Sequence, residues 1–179
     1  MTGEDYKKII REIPNFPKEG ILFYDITTLL KDARALRKVV DEFTEHYIKK
    51  QFAIDKVISA ESRGFIFGAI LAHELHAGFV PLRKPGKLPG KTMSEEYELE
   101  YGKDKFEVHE DAIEPGDNCI IVDDLLATGG TAEAAVKLVE RLGGKVRGLA
   151  FLVELGFLKG RAKFEKYDLL SLVNYEQGE

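Results

Sequence analysis

Tryptophan is absent from this 179-residue chain, cysteine occurs once and methionine twice. Cys119 cannot close an intrachain disulfide, and it stands in the apolar run Cys119-Ile120-Ile121-Val122, where a small thiol reads as a core residue. An excess of positive charge is missing too. Lys and Arg number 26 against 31 Asp and Glu, for a net charge of -5, so the broad cationic field that nucleic acid needs is not there. That leaves room only for a local basic patch facing a small phosphate ligand. No apolar run approaches the roughly 20 residues that span a bilayer, and residues 1–11 lack the basic start and apolar stretch of a signal peptide. The expectation is a cytoplasmic protein with no membrane and no nucleic-acid partner. With 44% hydrophobic residues, the chain is long enough for one sizeable core and short for two, so residues 1–179 are expected to form a single domain.

What is present is an alternation of short apolar strands and helices. Leu36, Val39, Val40, Phe43 and Tyr47 share one helical face, with Asp32 placed to cap the start. Residues 56–60 read as a strand, 63–75 as a well-buried helix and 78–82 as a second strand. Residues 119–122 suit a central strand covered on both faces. A helix over 130–142 follows, with strands over 146–153 and 169–173. This order predicts an α/β fold, a mostly parallel twisted sheet flanked by helices, with ligands at the carboxyl ends of its strands. One segment, 84–115, is polar and too long for an ordinary connection. Alternation around Tyr97, Leu99 and Tyr101 makes part of it a β-hairpin and the 84–110 stretch a mobile loop.

Ile120-Ile-Val-Asp-Asp-Leu-Leu-Ala-Thr-Gly-Gly-Thr131 carries the most chemistry. A buried strand is expected to end in two carboxylates and pass through small residues into a helix. Ala127, Thr128, Gly129, Gly130 and Thr131 can present backbone N–H groups and hydroxyls to a phosphate at the helix amino terminus. Glycine allows close approach, so a β-branched residue at 129 is expected to intrude on the anion. Asp123 and Asp124 would repel a phosphate and must address something else, a ribose diol or a hydrated Mg²⁺. This stretch resembles the phosphoribosyl pyrophosphate (PRPP) motif of the type I phosphoribosyltransferases. The resemblance implies that the loop holds the 5′-phosphate, that Asp123 and Asp124 bind the ribose hydroxyls, and that Mg²⁺ arrives with PRPP near them.

Ala60-Glu-Ser-Arg-Gly-Phe65 again lies between strand and helix, where Arg63 can clamp an anion. It resembles the pyrophosphate loop of adenine phosphoribosyltransferases, in which a non-proline cis peptide is often found. That implies a pyrophosphate site with Glu61, Ser62 and Arg63, and a cis bond at Glu61-Ser62. Pro81-Leu-Arg-Lys-Pro-Gly-Lys-Leu-Pro-Gly90 resembles a basic stretch of the same enzymes, adding Arg83, Lys84 and Lys87 to that site. Two weaker patterns have bland readings. Gly90-Lys91-Thr92 imitates the end of a P-loop, but Pro85 stands where a glycine is needed and no helix is expected after Thr92. His73 and His76 are three apart without a third ligand and read as ordinary helix residues.

Both ends of the chain extend the resemblance, which runs from about residue 13 to 175. Asn15-Phe-Pro-Lys-Glu-Gly-Ile-Leu-Phe-Tyr-Asp-Ile-Thr27 is similar to the hood of adenine phosphoribosyltransferases. This implies that residues 1–31 cover the purine, with backbone near Leu22 and Tyr24 reading its edge and Phe23 stacking on one face. Tyr24 stands where many relatives have Arg. Leu152-Val-Glu-Leu-Gly-Phe-Leu-Lys-Gly-Arg161 is similar to another family pattern and places Leu155 against the base. Glu100 and Tyr101 match a Glu-Tyr pair of the family's mobile loop, implying a role in removing the N9 proton of adenine. The resemblance thus implies a Mg²⁺-dependent, homodimeric enzyme that turns PRPP and adenine into AMP and pyrophosphate. The alternatives are a phosphoribosyltransferase for another base, such as xanthine or orotate, and a non-catalytic regulator that binds PRPP or a nucleotide.

Overall fold

The structure, a computed structural model, describes residues 1–50, 53–99 and 102–177. Thr2 and Asp5 bond reciprocally at the start of α1 (Gly3–Lys7), and the chain then forms the antiparallel pair β1 (Arg11–Pro14) and β2 (Leu22–Asp25). A single turn, α2 (Thr27–Leu30), leads to α3 (Ala33–Ile48). Asp32 accepts from the N–H groups of Arg34 and Ala35 and caps α3, whose apolar stripe of Ala35, Val39, Val40, Phe43 and Tyr47 is buried. Leu36 lies at the edge of that stripe and is half-buried.

Next come β3 (Lys56–Ala60), α4 (Gly64–Glu74) and β4 (Gly78–Leu82), then a hairpin of β5 (Thr92–Leu99) and β6 (Gly102–His109). The second crossover is β7 (Asn118–Leu126), α5 (Gly130–Arg141) and β8 (Lys145–Leu155), from which two short 3₁₀ turns lead to β9 (Leu169–Tyr175). The main sheet has the order β4-β3-β7-β8-β9, and all four pairings are parallel. Among the described residues, antiparallel pairing joins β1 to β2 and β5 to β6, with an isolated antiparallel bridge between Arg83 and Glu107.

Strand residues point alternately to the two faces, and both faces are covered. On β7, Ile120 and Val122 join Phe43 of α3 and Phe67 of α4, while Cys119 and Ile121 join Leu138 and Val139 of α5 and Phe106 and Val108 of the hairpin. This two-sided burial is why residues 119–122 read as one continuous apolar run. The strand is longer than that run: pairing continues through Asp123↔Phe151 and Leu125↔Val153 to Leu126↔Glu154, so the acidic pair lies within β7 and not beyond its end. Backbone pairing with β8 carries the strand past the point where its side chains stop being apolar. β8 likewise exceeds residues 146–153 at both ends, held by β7 on one side and β9 on the other.

Thr92 opens a strand, which ends the likeness to a P-loop. The His73 side chain is 86% exposed, and among the described residues no group of three or more His, Cys, Asp or Glu side chains is placed to hold a metal. Nor, among the described residues, is any helix long and apolar enough to cross a membrane.

Candidate functional site

The chain leaves β3 toward β4 on one side of the sheet and leaves β7 toward β8 on the other. Between the carboxyl ends of β3 and β7 the following segments diverge, and a crevice opens at this switch in strand order. A cleft of about 250 Å³ lies there, lined from the β3 side by Glu61, Ser62 and Arg63, from the β7 side by Asp123, Asp124 and Ala127 to Thr131, and from the basic stretch and hairpin by Lys84, Tyr97 and Phe106. Three stretches far apart in sequence thus meet at one sheet edge.

Gly129 has φ 82° and ψ 3°, a left-handed conformation, and it starts α5 without a side-chain cap. The helix therefore presents its first N–H groups and the positive end of its dipole to the cleft, the arrangement that suits a phosphate. A β-carbon at Gly129 would face the turn that backs the loop. It would lie 3.0 Å from Phe164 Cε2 and 3.1 Å from the Gly160 carbonyl oxygen, behind the loop. The expectation that a larger residue at 129 would intrude on the phosphate is corrected accordingly: the strain would fall on the backing turn and the backbone conformation. Gly160 is tighter still, since a β-carbon there would come within 2.1 Å of the Ala127 carbonyl oxygen.

The backing turn is itself fixed by Glu154, which is 3% exposed and accepts from Arg161 Nε at 2.8 Å and Ser171 Oγ at 2.6 Å. Burial opposes its charge, but Arg161 and Ser171 outweigh that and hold its pKa below the usual value.

Asp124 is 6% exposed and pairs with Arg63 Nε at 2.9 Å, linking β7 to the start of α4. Asp123 Oδ1 accepts the Asp124 N–H at 2.9 Å and sits against Gly64, where a β-carbon would come within 2.5 Å of it. Burial, then the neighbouring Asp124, push the Asp123 pKa well up; burial raises Asp124 as well, with Arg63 pulling the other way. Two carboxyls this close and this desolvated resist ionising together and are suited to hydrogen-bond with hydroxyls brought to them.

Glu61 faces the basic stretch: its carboxylate takes a close ion pair from Arg83 and accepts the Lys84 N–H at 2.9 Å. The Lys84 ammonium is tied to the hairpin, in contact with Asp104 and the Tyr97 hydroxyl, and lies 4.5 Å from the Phe106 ring centroid. Burial works against that charge, yet Asp104 and Tyr97 prevail and raise its pKa. Ser62 is exposed in the cleft wall, and the Glu61-Ser62 peptide is cis, as expected. Lys87 is exposed and stands outside the cleft lining.

Leu22, Phe23, Tyr24 and Leu155 do not line the cleft. Phe23 is nearest, its ring centroid 5.5 Å from the Arg63 guanidinium carbon, with Phe16 edge-on at 5.1 Å. The Tyr24 ring is committed elsewhere, stacked on Tyr175 at 3.8 Å. Leu22 borders a separate depression with Pro14 and Ile21, and Leu155 ends β8 half-buried against the core. Glu100 and Tyr101 fall outside the described residues. Sequence reasoning missed Asp104, Phe106 and Gly160. The first two are ordinary residues of a polar hairpin until β6 folds over Lys84, and the third shows its function only through what a side chain would strike.

The phosphoribosyl transferase domain family matches residues 27–177. The chain is 59% identical over 177 residues to an adenine phosphoribosyltransferase of Acidobacterium capsulatum, covering 99% of this chain and 97% of that protein. Among solved structures, the adenine phosphoribosyltransferase of Thermoanaerobacter pseudethanolicus is similar with a TM-score of 0.91 and 53% identity, over 97% of this chain and 100% of that one. The enzyme of Saccharomyces cerevisiae, solved with an imino-altritol bisphosphate and adenine, is similar with a TM-score of 0.90 and 44% identity, over 96% of this chain and 98% of that one. The matched family spans most of the chain, and the site's loops lie where its strand order switches; this chain belongs to the adenine phosphoribosyltransferases.

Proposed function

We propose that the cleft transfers the 5-phosphoribosyl group of PRPP to N9 of adenine, forming AMP and releasing pyrophosphate, as a step of purine salvage. The observation that carries this reading is the meeting, at one switch point, of an open helix amino terminus, an acidic pair of which Asp124 is buried, and a set of cations. The 5′-phosphate takes the N–H groups of Ala127 to Thr131. Asp123 and Asp124 accept from the ribose hydroxyls and fix the sugar, a matter of alignment and not of covalent chemistry. Arg63 and Lys84 face the charge that gathers on the departing pyrophosphate, while Arg83 and Glu61 shape the backbone around it. Ser62 completes that side, and Lys87 adds positive charge from outside the lining.

The donor set suits Mg²⁺ brought by the substrate: two adjacent carboxyls, one already paired with Arg63, are too few for a protein cage but match a metal held chiefly by phosphate oxygens and water. Such an ion neutralises phosphate charge when bound. Residues 1–31 serve as the hood over adenine, with Phe23 against the ring, backbone at Leu22 and Tyr24 at its edge and Leu155 beneath. Glu100, with Tyr101, accepts the N9 proton as the 84–110 loop closes. The enzyme acts in the cytoplasm, a reading that rests on its sequence, and as a homodimer, a reading that rests on its resemblance to the family.

Purified protein supplied with PRPP, Mg²⁺ and adenine, xanthine or orotate in turn is expected to form nucleotide with adenine alone. Turnover of another base would reassign the specificity. PRPP binding without turnover of any base would leave a nucleotide-responsive regulator.

A further inference from the structure

Lys84 lines the cleft with Arg63, yet it already has an anionic partner on the hairpin. Asp104 Oδ2 contacts the ammonium and accepts from the Tyr97 hydroxyl at 3.1 Å, and that hydroxyl accepts from the same ammonium, so three groups close a ring. Asp104 Oδ1 is fixed separately by the Lys105 N–H at 2.7 Å. Beneath the ring, Tyr97 and Phe106 stack at 4.9 Å and present their faces to the charge. The hairpin does not need this ring to stay in place. Arg83 and Glu107 exchange backbone hydrogen bonds at 3.0 and 2.8 Å, and Arg141 of α5 donates to the Ser94 carbonyl oxygen at 2.9 Å. Asp104 is thus a counter-ion for Lys84 in a hairpin that has other anchors.

We propose that Asp104 competes with pyrophosphate for Lys84, holding the ammonium in the empty cleft and yielding it when the diphosphate arrives. The inference rests on the reading that pyrophosphate occupies this cleft. An ion pair already formed must be given up before the new one is made, so Asp104 weakens diphosphate binding by the value of the pair it loses. At half-buried positions such a pair is worth severalfold in affinity. The same competition returns Lys84 to the hairpin as product leaves, so Asp104 helps to expel pyrophosphate. A residue that merely aimed Lys84 at substrate would act in the opposite direction, and the sign of one substitution separates the two.

Calorimetric titration of the intact enzyme with magnesium pyrophosphate provides the test. Asp104→Asn keeps the shape and the acceptor but removes the charge, and Asp104→Ala removes both. Each is expected to bind about 2- to 5-fold more tightly than the wild type, with a lower KM for PRPP and no gain in kcat. Lys84→Met is expected to weaken binding, and Asp104→Asn added to it is expected to have no further effect. Unchanged or weaker binding in both Asp104 variants overturns the proposal, as does equal tightening in the absence of Lys84. If the wild type and Lys84→Met fail alike to bind, the pyrophosphate reading of the cleft falls with it.

Discussion

Asp123 and Asp124 show how far one side chain's chemistry depends on its neighbours. Each is desolvated, but only Asp124 has a cation, Arg63, at 2.9 Å, while Asp123 is wedged against Gly64 with the second carboxyl beside it. Replacing both as Asp123→Asn with Asp124→Asn is expected to lower kcat by about 10² or more, because the ribose loses the carboxylates that align it and keeps only weaker amide acceptors. Steady-state turnover at saturating PRPP and Mg²⁺ checks this, and wild-type turnover would remove the pair from the mechanism.

Stability is expected to move the other way for Asp123→Asn alone. A carboxyl whose folded pKa is raised contributes stability that is present below its unfolded value, near 3.8, and is lost as pH rises through the folded pKa. Asparagine retains the acceptor for the Asp124 N–H and never ionises. Its melting temperature should exceed the wild type's at pH 7, with the gap closing toward pH 4, and a deficit at pH 7 would contradict the assignment. The site, on this account, is held at a cost in stability for the sake of its substrate.

At the scale of elements, much was legible because physical period and position coincide. The stripe of α3 and the capping Asp32 stand out at helical spacing, and the alternation around Tyr97 announces β5 and β6. The small-residue loop before α5 is legible for the same reason, since only such a sequence can expose its backbone. What was not legible depends on distant contact. The extension of β7 to Leu126 is imposed by β8, and the tie between Lys84 and Asp104 exists only once β6 lies over the basic stretch. No local pattern announces that the Tyr24 ring stacks on Tyr175, some 150 residues away.

Gly160 belongs to this second class and yields an element-scale prediction. Its α-carbon supports the Ala127 to Gly129 loop so closely that a β-carbon would meet the Ala127 carbonyl oxygen at 2.1 Å. Gly160→Ala must push the loop toward the cleft or distort the turn that Glu154 and Arg161 hold. Since hydrogen bonds to an anion depend on placement within tenths of an ångström, PRPP affinity should fall about tenfold or more. Calorimetry on folded Gly160→Ala protein would refute the idea by returning an unaltered affinity.

For the whole molecule, the decisive fact is that β7 belongs to both cores while its loop belongs to the cleft. The two faces of the sheet share this strand, so neither layer can melt without exposing the other's apolar side chains, and the described core should unfold in one transition. On the proposed function, PRPP would bridge that architecture, its 5′-phosphate lying on the β7–α5 loop and its pyrophosphate reaching the cations that follow β3 and β4. A ligand that binds only the folded state at 100 times its dissociation constant stabilises by about 2.7 kcal/mol. For a domain of this size each kcal/mol raises the melting temperature by about 2–4 °C, so Mg²⁺ with PRPP is expected to shift it by about 5–10 °C. Ribose 5-phosphate or magnesium pyrophosphate alone, at the same concentration, should each shift it less, because each engages one side of the switch point. A pyrophosphate shift equal to that of PRPP would mean that the loop before α5 contributes nothing to binding, and the assignment of the phosphate cradle would have to be abandoned.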